Sequence, residues 1–239
     1  MSRSSHLGAA AAASAAALVL SSASTQAAVS FNDIQFWAGT GANRAALVID
    51  FNDAKSPESL VWGYRWNGAA TGEDMFAAVA AADPRLYAKR KAFSFGTANL
   101  GIGYDTDGNG FAISDGTAFD PVTGIALGSE TQADGATPTD PADHYREGWN
   151  TGFFDYWTTD ASPYGGTGTW TESQVGGSLR NLVDGSWDEL SFATTFPAPA
   201  PDGEPTAAAA PVPEPTAGLL ALAGGLVLTV SRTRRARRA

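Results

Sequence analysis

Between residues 28 and 196 the apolar runs of this chain are short, and glycine, asparagine or aspartate stops nearly every one of them. A chain punctuated in this way cannot build a bundle of long helices, because no run sustains a 3.6-residue period over several turns. Ala45–Phe51 reads AALVIDF and Leu60–Trp66 reads LVWGYRW. With Phe153–Trp157, Thr167–Thr171 and Ser191–Phe196 they are predicted strands. One helix is predicted, Gly72–Ala82, with Thr71 as its cap, Asp74 at the third helical position and Asp83-Pro84 as its stop. Met75, Phe76 and Val79 give that helix an apolar stripe. The expected fold is therefore one mainly β domain, β-sandwich-like, with a single packed helix. No internal repeat is evident. The chain has no cysteine, which excludes disulfides, thiolate metal sites and cysteine nucleophiles, so packing alone must stabilise the domain.

Charge narrows the function classes. From Phe31 to Pro197 there are 9 Lys and Arg against 22 Asp and Glu. Such a surface repels polyphosphate, so nucleic acid is not an expected partner. The two histidines, His6 and His144, are too few for a multi-histidine metal site, and His144, beside a Thr/Asp/Pro-rich loop, is expected at the surface.

The two ends differ from the body. Residues 1–27 have a short start with Arg3, an apolar run from Leu7 to Leu20, and small residues at Thr25 and Ala27. This is the layout of a secretory signal peptide, with signal peptidase as its partner and a mature start at Ala28. Residues 197–212 are rich in proline and alanine and are expected to be a semi-rigid, structureless spacer. Ala217–Val230 is a run of 14 uncharged residues, followed by Arg232, Arg234, Arg235, Arg237 and Arg238. As a helix the run reaches about 21 Å, short of a hydrocarbon core of about 30 Å, but flanking residues and snorkelling arginine stems extend it. An arginine cluster stays cytoplasmic, so the tail is expected to act as a stop-transfer membrane segment with the body outside.

Pro213-Glu214-Pro215, the apolar run and the terminal arginines together resemble the PEP-CTERM sorting signal of Gram-negative bacteria. That resemblance covers about the last 28 residues. It implies exosortase as a partner, a transient inner-membrane intermediate, and delivery to the cell surface or extracellular polymer matrix of a biofilm. It also implies that Pro213, Glu214 and Pro215 are substrate residues of another enzyme. Trp37–Leu86 together with GIGYDTDGNGFAISD, residues 101–115, is similar to a group of uncharacterised secreted bacterial surface proteins that often carry the same tail.

Within the body, a period of two places Trp62, Tyr64 and Trp66 on one face of a strand, either as a core layer or as a platform on which sugar rings stack. Trp149, Phe153, Phe154, Tyr156 and Trp157 form a second aromatic cluster with the same two readings. Asp105-Thr106-Asp107-Gly108-Asn109-Gly110 matches the opening of a calcium loop, with oxygens at positions 1, 3 and 5 and glycine at 6. Position 12, where a bidentate glutamate belongs, is Gly116, and Asp115 or Asp120 stands in reach instead. A calcium site at Asp105, Asp107, Asn109 and Asp115 and a turn built of turn-forming residues are both compatible with this pattern. No G-x-S-x-G elbow or H-E-x-x-H occurs, and no catalytic residue is singled out. The leading reading is an exported surface or matrix protein with a structural or ligand-binding β domain, extracellular polysaccharide being a candidate partner. A secreted glycan-active hydrolase using an Asp/Glu pair and a small-molecule binder are the alternatives.

Overall fold

The computed structural model describes residues 29–94 and 96–210. The expected signal peptide, the motif Pro213-Glu214-Pro215, the apolar segment and the arginine cluster lie outside the described residues. Among the described residues no helix is long and apolar enough to cross a membrane.

The described chain is mainly β, with two sheets and one α-helix. Strands β1 (Trp37–Gly39), β2 (Asn43–Asp50) and β3 (Ser59–Trp66) lead into helix α1 (Gly72–Ala82). Strands β4 (Leu86–Phe93), β5 (Gly96–Tyr104), β6 (Ile125–Leu127) and β7 (His144–Glu147) follow. Then come β8 (Phe153–Thr159), β9 (Thr171–Glu172), β10 (Trp187–Ala193) and β11 (Thr206–Ala207). The larger sheet runs β1-β3-β2-β10-β8-β9, with β11 also on β3; the smaller runs β6-β4-β5-β7.

The helix forms where the sequence places it. Thr71 accepts from the Asp74 amide at 3.2 Å while the Asp74 carboxylate accepts from the Thr71 amide at 2.8 Å, closing a reciprocal capping box. Its buried residues Met75, Phe76, Val79 and Ala80 join the main core.

Sheet positions alternate in the same way. Ala45, Leu47 and Ile49 of β2 face the main core with Trp62, Tyr64 and Trp66 of β3, against Leu86 and Ala88 of β4 and Ile102 and Tyr104 of β5. The intervening Ala46, Val48 and Val61 face a second cluster with Trp187, covered by Phe31, Trp37, Tyr164 and Trp170. Burial on both faces explains why Ala45–Ile49, AALVI, is continuously apolar and not alternating. Burying each large side chain contributes about 1.5–3 kcal/mol.

The structure decides between the two readings of one aromatic group and corrects three other expectations. Trp62, Tyr64 and Trp66 are 0%, 9% and 4% exposed, and Tyr64 stacks on Trp66 at 5.5 Å; they are a core layer and not a ligand platform. The stretch 197–212 is not a free spacer throughout, because β11 pairs in parallel with Leu60 and Val61, and the Ala208 amide donates to the Val61 carbonyl at 3.0 Å. The predicted strand at 167–171 is only Thr171–Glu172, and the one at 191–196 is shifted to Trp187–Ala193.

Candidate functional site

A mostly apolar cleft of about 260 Å³ opens where the start of α1 meets β5 of the small sheet and β8 of the large one. Phe153, Phe154 and Tyr156 of β8 line one wall and Phe76 of α1 another. Trp149, from the loop before β8, stands at the rim, 45% exposed and stacked on Phe93 at 5.5 Å with an interplanar angle of 12°. The second aromatic cluster is therefore the one that lines a cavity, except for Trp157, which is buried at 8%.

The Trp149 loop is held by one carboxylate. Asp134 accepts from the backbone amides of Trp149, Asn150 and Thr151 at 3.0–3.1 Å, from Asn150 Nδ2 at 2.7 Å and from Thr151 Oγ1 at 2.8 Å. These donors, the Trp149 N–H first, hold the Asp134 carboxyl well below the usual carboxylate range.

The polar part of the cleft comes from α1 and the small sheet. Glu73 takes a bidentate pair of bonds from Arg90 at 2.8 and 2.6 Å, and Arg90 Nε donates to Asn99 Oδ1 at 2.7 Å. The Arg90 guanidinium also lies over the Phe76 ring at 4.6 Å. Behind the wall, Tyr156 donates its hydroxyl to Asp188 Oδ2, and Arg180 Nε donates to Oδ1 at 3.3 Å. Burial, against the pull of these two partners, raises the Asp188 carboxyl to about 6. Gly72 makes this close approach possible, since a Cβ there would sit 2.1 Å from the Tyr156 hydroxyl.

Chemically the cleft offers stacking surfaces, an amide and a neutralised ion pair. Among the described residues Glu73 is the one carboxylate lining it, and it is bonded to Arg90. A glycoside-hydrolysing site needs two acidic groups flanking the bond, which this lining does not supply.

The loop after β5 lies elsewhere. Carboxylate oxygens of Asp105, Asp107 and Asp143 lie within 4.8 Å of one another. Asn109 Nδ2 donates to Asp107 and to Asp140, each at 2.9 Å. Asp115, expected as a fourth ligand, does not join this group; its Oδ2 accepts from the buried Lys89 ammonium at 2.6 Å, which also donates to Glu147 at 2.7 Å. His144, expected at the surface, is fully buried, with Nδ1 on Asp53 at 3.0 Å and its ring stacked on Phe51 at 4.6 Å.

The sequence reading missed Glu73, Arg90, Asn99, Asp134 and Asp143. One signal was available: the run AKRKAF carries the densest positive charge in an acidic body, and charge concentrated inside a strand pattern implies buried partners. The chain matches no protein-family model, no curated protein and no solved structure.

Proposed function

We propose that this chain is an exported protein, held by its C-terminal tail for exosortase and passed to the cell surface or extracellular matrix, whose β-rich body binds a carbohydrate ring in the cleft beside α1. The observation that carries the binding reading is the pairing of the exposed Trp149 ring and the Phe153, Phe154 and Tyr156 wall with the Glu73–Arg90–Asn99 network. A pyranose presents an apolar C–H face and an equatorial ring of hydroxyls, and needs both kinds of wall. Fixing Trp149 in advance through Asp134 lowers the ordering cost of binding. The sorting reading rests on the order of motif, apolar run and arginine cluster at the terminus.

Tryptophan emission of the purified full chain, titrated with extracellular oligosaccharides, tests the cleft. Saturable quenching is expected, with Trp149→Ala weakening affinity at least about tenfold, or about 1.4 kcal/mol, at unchanged melting temperature. If no saccharide gives a saturable change, or Trp149→Ala leaves it intact, the carbohydrate reading fails. For sorting, cells producing the chain with Pro213, Glu214 and Pro215 replaced by alanine are expected to accumulate it uncut in the inner membrane. A tail-bearing chain found uncut and soluble in the periplasm would refute that part.

A further inference from the structure

Strands β5 and β7 are antiparallel neighbours, and their last pair in register is Tyr104 opposite His144. The chain leaves β5 at Asp105 and enters β7 just after Asp143, so the long connection from 106 to 142, which meets the small sheet in between at β6, is pinched at a neck formed by these two acids. Both are buried, at 4% and 0% exposure, while Asp107, the third acid at the neck, is exposed. Among the described residues none of the three, nor Asp140 beside them, is in an ion pair. Lys55, the nearby ammonium, donates to the Asp143 carbonyl and not to a carboxylate.

Like charges gathered at a buried neck are unfavourable when no cation is bonded to their carboxylates, and Arg85 and Lys55, which attract Asp105 and Asp140 from nearby, make no such bond. Gly108 and Gly110 amides donate to the two Asp105 oxygens at 2.7 and 2.9 Å, and the Thr106 amide to Asp143 Oδ1 at 3.1 Å. Asp143 Oδ2 is left fully buried with no hydrogen-bond partner. A carboxylate oxygen of Asp143 lies within 4.8 Å of carboxylate oxygens of both Asp105 and Asp107. A buried carboxylate oxygen with no donor, facing two more carboxylates, is an acceptor without a cation.

We propose that Asp105, Asp107 and Asp143 bind a divalent cation, calcium by its chemistry, which locks the neck of the 106–142 excursion. All the donors are hard oxygens. Two oxygens on opposite sides of a calcium are separated by about 4.6–5.2 Å, which accommodates groups lying within 4.8 Å of one another. A half-turn of the Asn109 amide exchanges its donor for a carbonyl oxygen and adds a fourth ligand between Asp107 and Asp140. The exposed Asp107 side leaves room for water to complete the shell. Asp115 takes no part, being committed to Lys89.

The test uses the metal-depleted full chain, titrated calorimetrically with calcium chloride, with melting and limited proteolysis followed in parallel and sodium chloride at matched ionic strength as control. One saturable calcium site is expected, with a higher melting temperature and slower cleavage within 106–142. Asp107→Ala, an exposed change that leaves the metal-free fold intact, is expected to weaken calcium binding at least tenfold and to abolish the protection. Asp143→Asn is expected to remove binding while raising the metal-free melting temperature, because it relieves repulsion. The proposal is overturned if the wild-type chain shows no saturable calcium binding up to about 10 mM, if sodium chloride reproduces the effect, or if the calcium response survives Asp107→Ala.

Discussion

Glu189 of β10 is 2% exposed, and its Oε2 takes a hydrogen bond from the Tyr164 hydroxyl at 3.2 Å. Burial, joined by the charge of Asp50, raises its carboxyl to about 8. In the unfolded chain it titrates near 4.3. Between those values the folded state keeps a proton that the unfolded state releases, so stability falls as pH rises through that window and the penalty is complete above about 8. Asp188, raised to about 6, adds the same sign over a lower range, whereas the depressed carboxyls of Asp33 and Asp134 act only in more acidic solution. Denaturant midpoints are therefore expected to fall between about pH 5 and 8, and Glu189→Gln to flatten the upper part of that slope. An unchanged slope in the variant would show that Glu189 ionises freely. None of this is visible along the sequence, where the predicted strand begins only at Ser191 and leaves Asp188 and Glu189 outside it. Two acids become buried neighbours of Tyr164 and Tyr156 only when β8 and the 160–170 loop close over them.

At the scale of elements, α1 depends on interactions that local sequence specifies. Its capping box lies within four residues, and Thr71→Ala is expected to cost about 1 kcal/mol, a fall of roughly 2–4 °C in melting temperature, with Thr71→Ser much milder. Thermal unfolding of the two variants decides this, and equal losses would show that the hydroxyl is not what matters. Loosening that first turn also loosens Glu73 and so the polar side of the cleft. β2, β3 and α1 were legible because their patterns are strong and local. β4 was not. Its LYAKRKAF carries three successive basic residues and is not among the predicted strands, yet Lys89 is 1% exposed and Arg90 is 5% exposed. Their partners Asp115, Glu147 and Glu73 stand 26, 58 and 17 positions away, and the register shifts between Lys89 and Arg90. A strand whose charges are paired from such distances shows within its own window that the charges are dense and not which groups pair with them.

For the whole molecule, the outer edge of β3 is shared by the two ends of the described chain: β1 pairs with Gly63–Arg65 and β11 with Leu60 and Val61. The segment before β11 brings Asp202 and Glu204 to a cleft of about 120 Å³ that already holds Asp50, Glu58 and Glu189. The C-terminal strap is thus held by backbone pairing against like-charge repulsion. Ala208 is fully buried and its amide is bonded to Val61, so Ala208→Pro is expected to lose on the order of 1–3 kcal/mol and to expose the strap to cleavage ahead of the body. Limited proteolysis checks it, and cleavage at the wild-type rate would mean that the strap is not held there. The sequence by itself determined the β-rich class, the one helix with both its ends, the acidic surface and the absence of cysteine chemistry, since each follows from composition or from residues a few positions apart. Only the tertiary structure decided which aromatic group is core and which lines a cleft, that Asp143 and not Asp115 faces Asp105, and that the proline-rich stretch closes a sheet edge. Each of these depends on which distant segments meet, and a one-dimensional pattern does not record the loop closures that bring them together.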